Sequence, residues 1–374
     1  MKKRSAWLSI LLAATLLLVC ASAAGGDAGD PLVSLEYLRG IFLPKAEAAT
    51  KEKLDASGKT AYEAAETKWR AVVAEAEATV GSERAGTWTE AQLKQGDVLS
   101  GLTGMQAIVL AGDVRAQFSS GAVIDVTDGT ELTDGAVLKA RHRYMVAEDT
   151  TALFTVSSRT AVVDCCGDYR FTLSASAPDY SAMASALKAL SLFKGTNTGY
   201  GDGFDLEVAP TRIQALIMLI RLLGEEDEAL ACTSPAPFTD ISAGYWGRPY
   251  IAYACEKGYT NGVEGNKFAT DRATSEGMYV EFILRALGYS DTTQTDVSTA
   301  ADRALSAGVL TAGECAALRA NDFLRADVAY LSWYALGAPL PGGALTLHEK
   351  LENAGVFPAE AYERTRALVT SPRL

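Results

Sequence analysis

A repeated interval in the second half of the chain constrains its fold more than any other sequence feature. Three apolar stretches end in Leu-Gly, and in each a charged residue stands twelve positions before the glycine. The pairs are Arg212 and Gly224, Glu276 and Gly288, and Arg325 and Gly337. In the first two copies a phenylalanine also stands at the same distance before the charged residue. Self-similarity in a fixed register is typical of repeat proteins, so this half is predicted to be built from tandem copies.

Each stretch has the periodicity of an amphipathic helix. Apolar residues fall at i, i+3, i+4 and i+7, which places them on one face. The matching sets are Leu216, Leu219, Ile220 and Leu223 in the first copy, and Val280, Ile283, Leu284 and Leu287 in the second. The third copy supplies the weaker set Ala329, Ser332, Trp333 and Leu336. We therefore expect three helices with one buried face each, the last in a divergent copy.

The rest of the chain divides by composition. A basic start and an apolar run ending in Ala-x-Ala are typical of a secretory signal peptide cleaved after about Ala23. Residues 46–80, rich in Ala, Glu and Lys, favour a helix, whereas alternating Val, Ile, Thr and Phe between turns favour strands from Trp88 to Leu173. The predicted fold class is α+β. A signal peptide at 1–23 is followed by a linker and helical segment at 24–87 and a β-sandwich or roll at 88–173. Three repeats follow at 181–225, 238–289 and 296–340, and a helical cap ends the chain at 341–374.

The charge of the chain bears on its partners. The formal net charge is -12, and it becomes about -15 once the three basic residues of the leader are removed. An acidic chain without a basic patch offers no footprint for phosphates, so nucleic acid is not an expected partner. Once the signal peptide is cleaved, no membrane partner is expected either.

Candidate catalytic and metal-binding residues are sparse. The chain has only two histidines, His142 and His348, and no Cys-x-x-Cys, which argues against a zinc site or a His-dependent triad. Acidic residues gather in the β region, where aspartate is favoured in turns for its local backbone hydrogen bonds. They are Asp125, Asp128, Glu131, Asp134, Glu148 and Asp149. We predict no catalytic residue, no metal site and no cofactor.

The second copy has a more extended motif that resembles a known family. It reads Phe-x-Asp at 238–240, then Trp246, a predicted helix, a glycine loop ending in Phe268, and a helix closing in Arg-x-Leu-Gly. This order resembles the S-layer homology domain, here in three tandem copies over about 181–340. The overall arrangement is also similar to exported proteins of Gram-positive, clostridia-like bacteria.

The resemblance implies a pseudo-threefold helical bundle with binding grooves between neighbouring copies. It further implies a secreted protein of the cell wall or S-layer, bound to a secondary wall polysaccharide that carries an anionic pyruvate ketal. A planar guanidinium can bind such a carboxylate through two hydrogen bonds. The residues that match the family's binding positions are Thr211, Arg212, Arg325, Asp240, Trp246 and Gly262. In the second copy Glu276 replaces the arginine, and its charge would repel a carboxylate.

Structural roles are open for these same residues, and two other functions are open for the chain. Asp240 is suited to capping a turn, Trp246 to a core, and Gly262 to a positive φ. One alternative function is an exported enzyme with its chemistry in the β region and the repeats as an anchor. The other is an assembly scaffold whose degenerate repeats no longer bind sugar, and self-assembly is an open possibility in either case.

Overall fold

The structure is a computed structural model that describes residues 44–45, 86–293, 296–358 and 360–374. The predicted signal peptide and nearly all of the helical segment at 24–87 lie outside the described residues. The features below belong to one compact unit, Gly81–Leu374. Within the described ranges, no helix is long and apolar enough to cross a membrane.

Ten antiparallel strands form a β-sandwich, here called the β domain, which confirms the predicted β region. One sheet has the strand order β1-β9-β3-β7-β5-β6 and the other β10-β2-β8-β4. The strands are β1 (Thr89–Lys94), β2 (Val98–Gly101), β3 (Gln106–Ala111), β4 (Val114–Gln117), β5 (Val123–Asp125), β6 (Thr130–Glu131), β7 (Arg143–Val146), β8 (Ala152–Val156), β9 (Thr160–Cys166) and β10 (Tyr169–Thr172).

Alternation of side chains between the two faces of each strand builds the core of the β domain. Along β7, Tyr144 and Val146 are buried, whereas Arg143 and Met145 are exposed. Tyr144, Phe154 and Leu99 are among the largest fully buried side chains. Gly112, between β3 and β4, has φ +80°, and a Cβ there would lie 2.3 Å from the Thr160 carbonyl oxygen. This turn therefore requires glycine.

The C-terminal half is helical, as predicted, and its helices share one large hydrophobic core. The helices are α1 (Tyr180–Ala189), α2 (Arg212–Leu222), α3 (Glu226–Leu230), α4 (Arg248–Glu256), α5 (Glu276–Leu287), α6 (Ala300–Ser306), α7 (Ala312–Ala320), α8 (Arg325–Leu336), α9 (Leu347–Asn353) and α10 (Ala361–Arg366). Short 3-10 turns lie at Gly201–Gly203 and Val297–Thr299.

The three charged residues of the repeat frame each open a helix, α2, α5 and α8, because the residue before each is extended and ends the preceding loop. Thr211 is the N-cap of α2, and its N–H donates to the Gln214 side chain at 3.0 Å. Ser275 caps α5, its side chain accepting from the Met278 N–H. Such caps satisfy backbone N–H groups that have no partner within the helix. The charged side chains are thereby placed at the starts of central helices.

An ion pair joins the β domain to α8. Arg159, from the turn between β8 and β9, donates to the Asp327 carboxylate at 2.6 Å and to the Asp322 carbonyl at 2.7 Å. Asp327 is 5% exposed. Burial raises the pKa of Asp327 to about 6, with Arg159 opposing the shift. The pair therefore makes the stability of this junction sensitive to pH.

We expect Asp327→Asn to flatten the dependence of unfolding free energy on pH between about 4 and 6. The folded-state pKa of Asp327 lies above its usual value of 3.8, so its contribution is full below pH 4 and is lost as the pH rises through 6. The difference between the folded and the unfolded pKa of Asp327 corresponds to about 2–3 kcal/mol of unfolding free energy. Urea titrations of parent and variant at pH 4 and 7 measure this; parallel pH profiles would contradict it.

Candidate functional site

Arg212 lies at the bottom of a groove between the first and second copies. It is 4% exposed, and its guanidinium lies 5.1 Å from the ring centroids of both Phe268 and Phe282. Its Nη2 donates to the Thr260 hydroxyl and to the Gly262 carbonyl oxygen, both at 3.2 Å. Its Nε is buried and has no hydrogen-bond partner among the residues that the structure describes. A buried donor without a partner is costly, so this atom is suited to a ligand oxygen.

The groove around Arg212, here called the Arg212 groove, has a volume of about 460 Å³. It combines apolar walls with charged groups at its rim and base. The lining residues are Arg212, Asn261, Gly262, Val263, Glu264, Arg272, Met278, Glu281, Phe282, Arg285 and Val297. Burial lowers the pKa of Arg212 to about 10, and the charges of Arg272 and Arg285 act in the same direction. Arg212 stays cationic at neutral pH, and a bound anion would relieve the cost of its burial.

Gly262 and Asp240 shape the loop that faces Arg212. The carbonyl of Gly262 accepts from Arg212, and its φ of +80° lets the loop turn toward the guanidinium. Asp240 accepts from the N–H groups of Phe268 and Ala269 at 2.8 and 2.7 Å, which lower its pKa against the opposing effect of burial. Both residues thus position the groove, Gly262 with a direct contact and Asp240 through Phe268.

Thr211 and Trp246 stand apart from the groove lining. Thr211 is the N-cap of α2, where its N–H donates to Gln214 at 3.0 Å. The Trp246 side chain is 64% exposed, and its ring lies 5.6 Å from that of Tyr245. Trp246 is therefore not the core residue that a purely structural role would have required. A direct part for either residue in ligand binding stays a prediction.

Gly262→Ala is expected to destabilise the protein by about 1–3 kcal/mol, because φ is positive and the new Cβ would meet fixed atoms. It would lie 2.3 Å from the Phe238 ring and 2.6 Å from the Lys267 carbonyl oxygen. Gly265 is a matched control, since its φ is +74° but a Cβ placed there would meet nothing within 4 Å. Thermal unfolding compares the two variants. Equal losses would mean that the contacts at Gly262 are unimportant.

Arg325 occupies the matching position at the start of α8. The start of α8 forms backbone hydrogen bonds with the first copy, just as the start of α2 does with the second copy. Arg212 and Ile213 donate their N–H groups to the carbonyls of Arg272 and Thr270. Arg325 and Ala326 donate theirs to Val208 and Leu206, each 64 residues earlier in the chain than its counterpart. The two junctions therefore have the same backbone geometry.

The surroundings of Arg325 nevertheless differ from those of Arg212. Its Nε donates to the Phe204 carbonyl oxygen at 2.9 Å, and Nη1 lies 3.6 Å from the Met218 sulfur. Burial lowers the pKa of Arg325, whereas the carboxylate of Asp205 opposes the shift. Asp205 directly follows Phe204, and in the second copy Ala269 follows the matching Phe268. Asp205 and Ala269 both have a positive φ, 51° and 59° respectively. The protein supplies a carboxylate near Arg325 but an alanine near Arg212.

The β domain also holds the loop that covers Arg325. The Gly201 N–H donates to the Glu90 carboxylate at 3.0 Å. A Cβ on Gly201 would lie 2.9 Å from the Val162 side chain, whereas the corresponding Gly265 of the second copy has open space around it. The loop of the first copy is thus packed against the sandwich. Arg325 belongs to an internal contact, and Arg212 to an accessible groove.

The start of α5 carries the glutamate that replaces the arginine. Glu276 is half-buried, and its charge contributes to a raised pKa of Arg319 after the larger effects of Asp302. The next residue, Gly277, lies so close to the 3-10 turn that a Cβ would be 2.3 Å from the Val297 carbonyl oxygen. This third junction is therefore built differently from the two arginine junctions.

The acidic residues of the β domain make local contacts. The Asp125 carboxylate accepts from the N–H groups of Thr127 and Asp128 and contacts His142 Nδ1 at 2.9 Å. Asp125, Asp128 and His142 are close enough to share a metal ion, but the Lys139 ammonium contacts Asp128. The arrangement agrees with the expected preference of aspartate for turns. The absence of a metal site stays a prediction.

Comparisons with known proteins match the second copy to a family. Residues 237–277 match the model of the S-layer homology domain, the family whose motif contains the Arg212 groove loop. The chain is therefore an S-layer homology domain-containing protein. Domains of this family serve non-covalent anchoring at the cell surface and generally bind cell wall glycans.

One curated relative and several solved structures also show similarity. A "Cell surface protein" of Thermoanaerobacter kivui is 33% identical over 115 residues, which is 30% of this chain and only 15% of that protein's length. Procruciferin, an 11S globulin of Brassica napus, aligns with 23% of this chain and 22% of its own at 10% identity and a TM-score of 0.16. Pumpkin seed globulin aligns with 27% of each chain at 13% identity and a TM-score of 0.17. At such scores the globulin similarities carry no argument about fold or function.

Proposed function

We propose that this protein is a secreted, non-catalytic cell-envelope protein whose S-layer homology repeats bind an anionic secondary wall polysaccharide and hold the β domain on the cell wall. The observation that carries the proposal is the buried Arg212 guanidinium, whose Nε has no partner and which lines an open groove. A surface location also fits the name of the relative from Thermoanaerobacter kivui.

The chemistry of the groove suits a carboxylated sugar. A guanidinium binds a carboxylate through planar, charge-assisted hydrogen bonds. Arg212 is held between Phe268 and Phe282, so its orientation is fixed before a ligand arrives. The apolar wall formed by Phe282, Met278 and Val263 is suited to the less polar face of a sugar ring. A pyruvate ketal would place its carboxylate on the Arg212 side.

We further propose that three copies form a pseudo-threefold bundle in which only one groove binds. The shared backbone geometry at Arg212 and Arg325 supports the symmetry. Glu276 removes the cation from one junction, and Asp205 together with the β domain closes the other. The protein would then bind the wall through a single site, and its affinity would not gain from multivalency.

A sedimentation assay on isolated cell-wall sacculi tests the proposal. The purified mature protein should co-sediment with intact sacculi, and this should be lost when the wall polysaccharide is stripped from them. Binding that is unchanged after stripping would overturn glycan recognition. Isothermal titration with the purified polysaccharide should give one site per protein chain.

The closed Arg325 junction favours one second function, an assembly scaffold in which the repeats no longer bind sugar. In that case the protein would not bind sacculi, and it would oligomerise in solution through the repeats. Sedimentation equilibrium of the same preparation distinguishes the two functions. A monomer that binds sacculi supports the anchor, and an oligomer that does not supports the scaffold.

A further inference from the structure

A second arginine lines the groove and has no counterpart at the Arg325 junction. The side chain of Arg272 is exposed at the rim, while its carbonyl accepts the N–H of Arg212 at 2.8 Å. Among the residues that the structure describes, the Arg272 guanidinium makes no side-chain hydrogen bond and no ion pair. The matching residue at the Arg325 junction is Val208. The Arg212 groove therefore has two guanidinium groups with donors available, one at the base and one at the rim.

Two further charged residues of the groove, Glu281 and Arg285, are already paired. The Glu281 carboxylate is 2% exposed and binds Arg285 at 2.8 Å and Arg303 of α6 on its other oxygen. Arg285 also donates to the Asn261 side chain at 3.1 Å. The charge of Glu281 is therefore not free to neutralise Arg212 or Arg272.

The resulting charge balance is positive in an otherwise acidic protein. The lining of the groove contains three guanidiniums and two carboxylates, so one positive charge is in excess. The guanidiniums are Arg212, Arg272 and Arg285, and the carboxylates are Glu264 and Glu281. After burial, the charge of Arg272 has the largest effect in lowering the pKa of Arg212. Because Glu281 is shared between Arg285 and Arg303, a single ligand carboxylate bound to Arg212 would leave the Arg272 guanidinium without a bound anion.

We propose that the Arg212 groove binds a glycan segment carrying two negative charges, with Arg272 as a second anion-binding residue. This inference rests on the proposed glycan-binding function. Two sources have the required chemistry: one sugar bearing a phosphate monoester, or two adjacent sugars that each bear a carboxylate. In both cases Arg212 binds the buried charge, and Arg272 binds the charge nearer to solvent.

Isothermal titration with three defined probes tests the proposal. The probes are a methyl glucoside with one 4,6-pyruvate ketal, a disaccharide with two such ketals, and glucose 6-phosphate at pH 8. At least one of the two doubly charged probes should bind about tenfold more tightly than the singly charged one, as expected for one additional charge-assisted contact. The probe that does so identifies the source of the second charge.

Variants of the full mature protein assign the effect to Arg272. Arg272→Gln should remove the preference for the doubly charged probe, so that the affinities for the two probes lie within about twofold of each other. Arg170→Gln, an exposed arginine of β10 outside the groove, is the matched control and should bind like the parent. Circular dichroism verifies that both variants are folded.

The outcomes separate this inference from the proposed function. Equal affinity of the parent for singly and doubly charged probes, or an unchanged preference in Arg272→Gln, would overturn the role of Arg272 while leaving glycan binding intact. If the parent binds none of the probes and no wall polysaccharide, both the inference and the proposed function are wrong.

Discussion

Replacing Arg212 with alanine should weaken binding to the wall polysaccharide by at least about tenfold, because a charge-assisted hydrogen bond contributes roughly 1.5–3 kcal/mol. Lysine at this position should recover only part of the loss, since an ammonium cannot form the planar pair of bonds. Isothermal titration with purified polysaccharide measures both variants. Within the described part of the chain Arg212 has no salt-bridge partner, so its removal leaves no buried carboxylate unpaired, and the alanine variant should stay folded.

Two charged residues in matching positions provide the controls. Arg325→Ala should weaken binding less than Arg212→Ala, because Arg325 bonds internally to the Phe204 carbonyl. Its main effect should be a lower melting temperature. Glu276→Ala should bind like the parent or slightly better, since it removes a negative charge. If all three variants bind like the parent and remain helical, the repeats act as a scaffold.

A carboxylate introduced beside Arg212 should abolish binding as effectively as removal of the arginine. Asp205 and Ala269 follow matching phenylalanines with similar positive φ, and Asp205 places its charge near Arg325. Ala269→Asp would place a carboxylate near Arg212 in the same way and compete with the ligand. Aspartate is more tolerant of this backbone conformation than alanine, so the variant should be folded.

Ala269→Asn is the matched control for charge. Asparagine also accepts a positive φ and has nearly the size of aspartate, but it carries no charge. Titration of both variants with the wall polysaccharide should show binding by Ala269→Asn within about twofold of the parent and a loss of at least about tenfold for Ala269→Asp. Equal weakening in the two variants would indicate a steric effect at position 269. Unchanged binding in both would mean that the charge of Asp205 does not keep Arg325 from binding a ligand.

Local patterns in the sequence were sufficient for the general architecture. The frame of twelve residues correctly placed the starts of α2, α5 and α8, because capping residues and the apolar stripe act within a few turns of one helix. Alternation between turns likewise located the β-sandwich. The family motif named Arg212 and Gly262 as binding residues but did not predict that they contact each other.

The different fates of the two arginines could not be predicted in this way. Arg212 and Arg325 look alike in sequence, and what separates them is the residue after a phenylalanine more than a hundred positions from Arg325. Asp205 comes close to Arg325 only when its loop folds against α8. Arg272 was missed for a similar reason, since an exposed arginine in a loop has no periodic signal and becomes significant only beside Arg212.

The attachment of the β domain has a mechanical consequence. Besides the connecting segment after β10, two separate contacts fix the sandwich to the helices: Glu90 with Gly201, and Arg159 with Asp327. A rotation of the sandwich about this connecting segment would break both contacts together. The β domain is therefore held in a fixed orientation relative to the helices. Molecules held through the same groove would then all present the same edge of the sandwich outward, and a force applied there would be shared by three points of attachment.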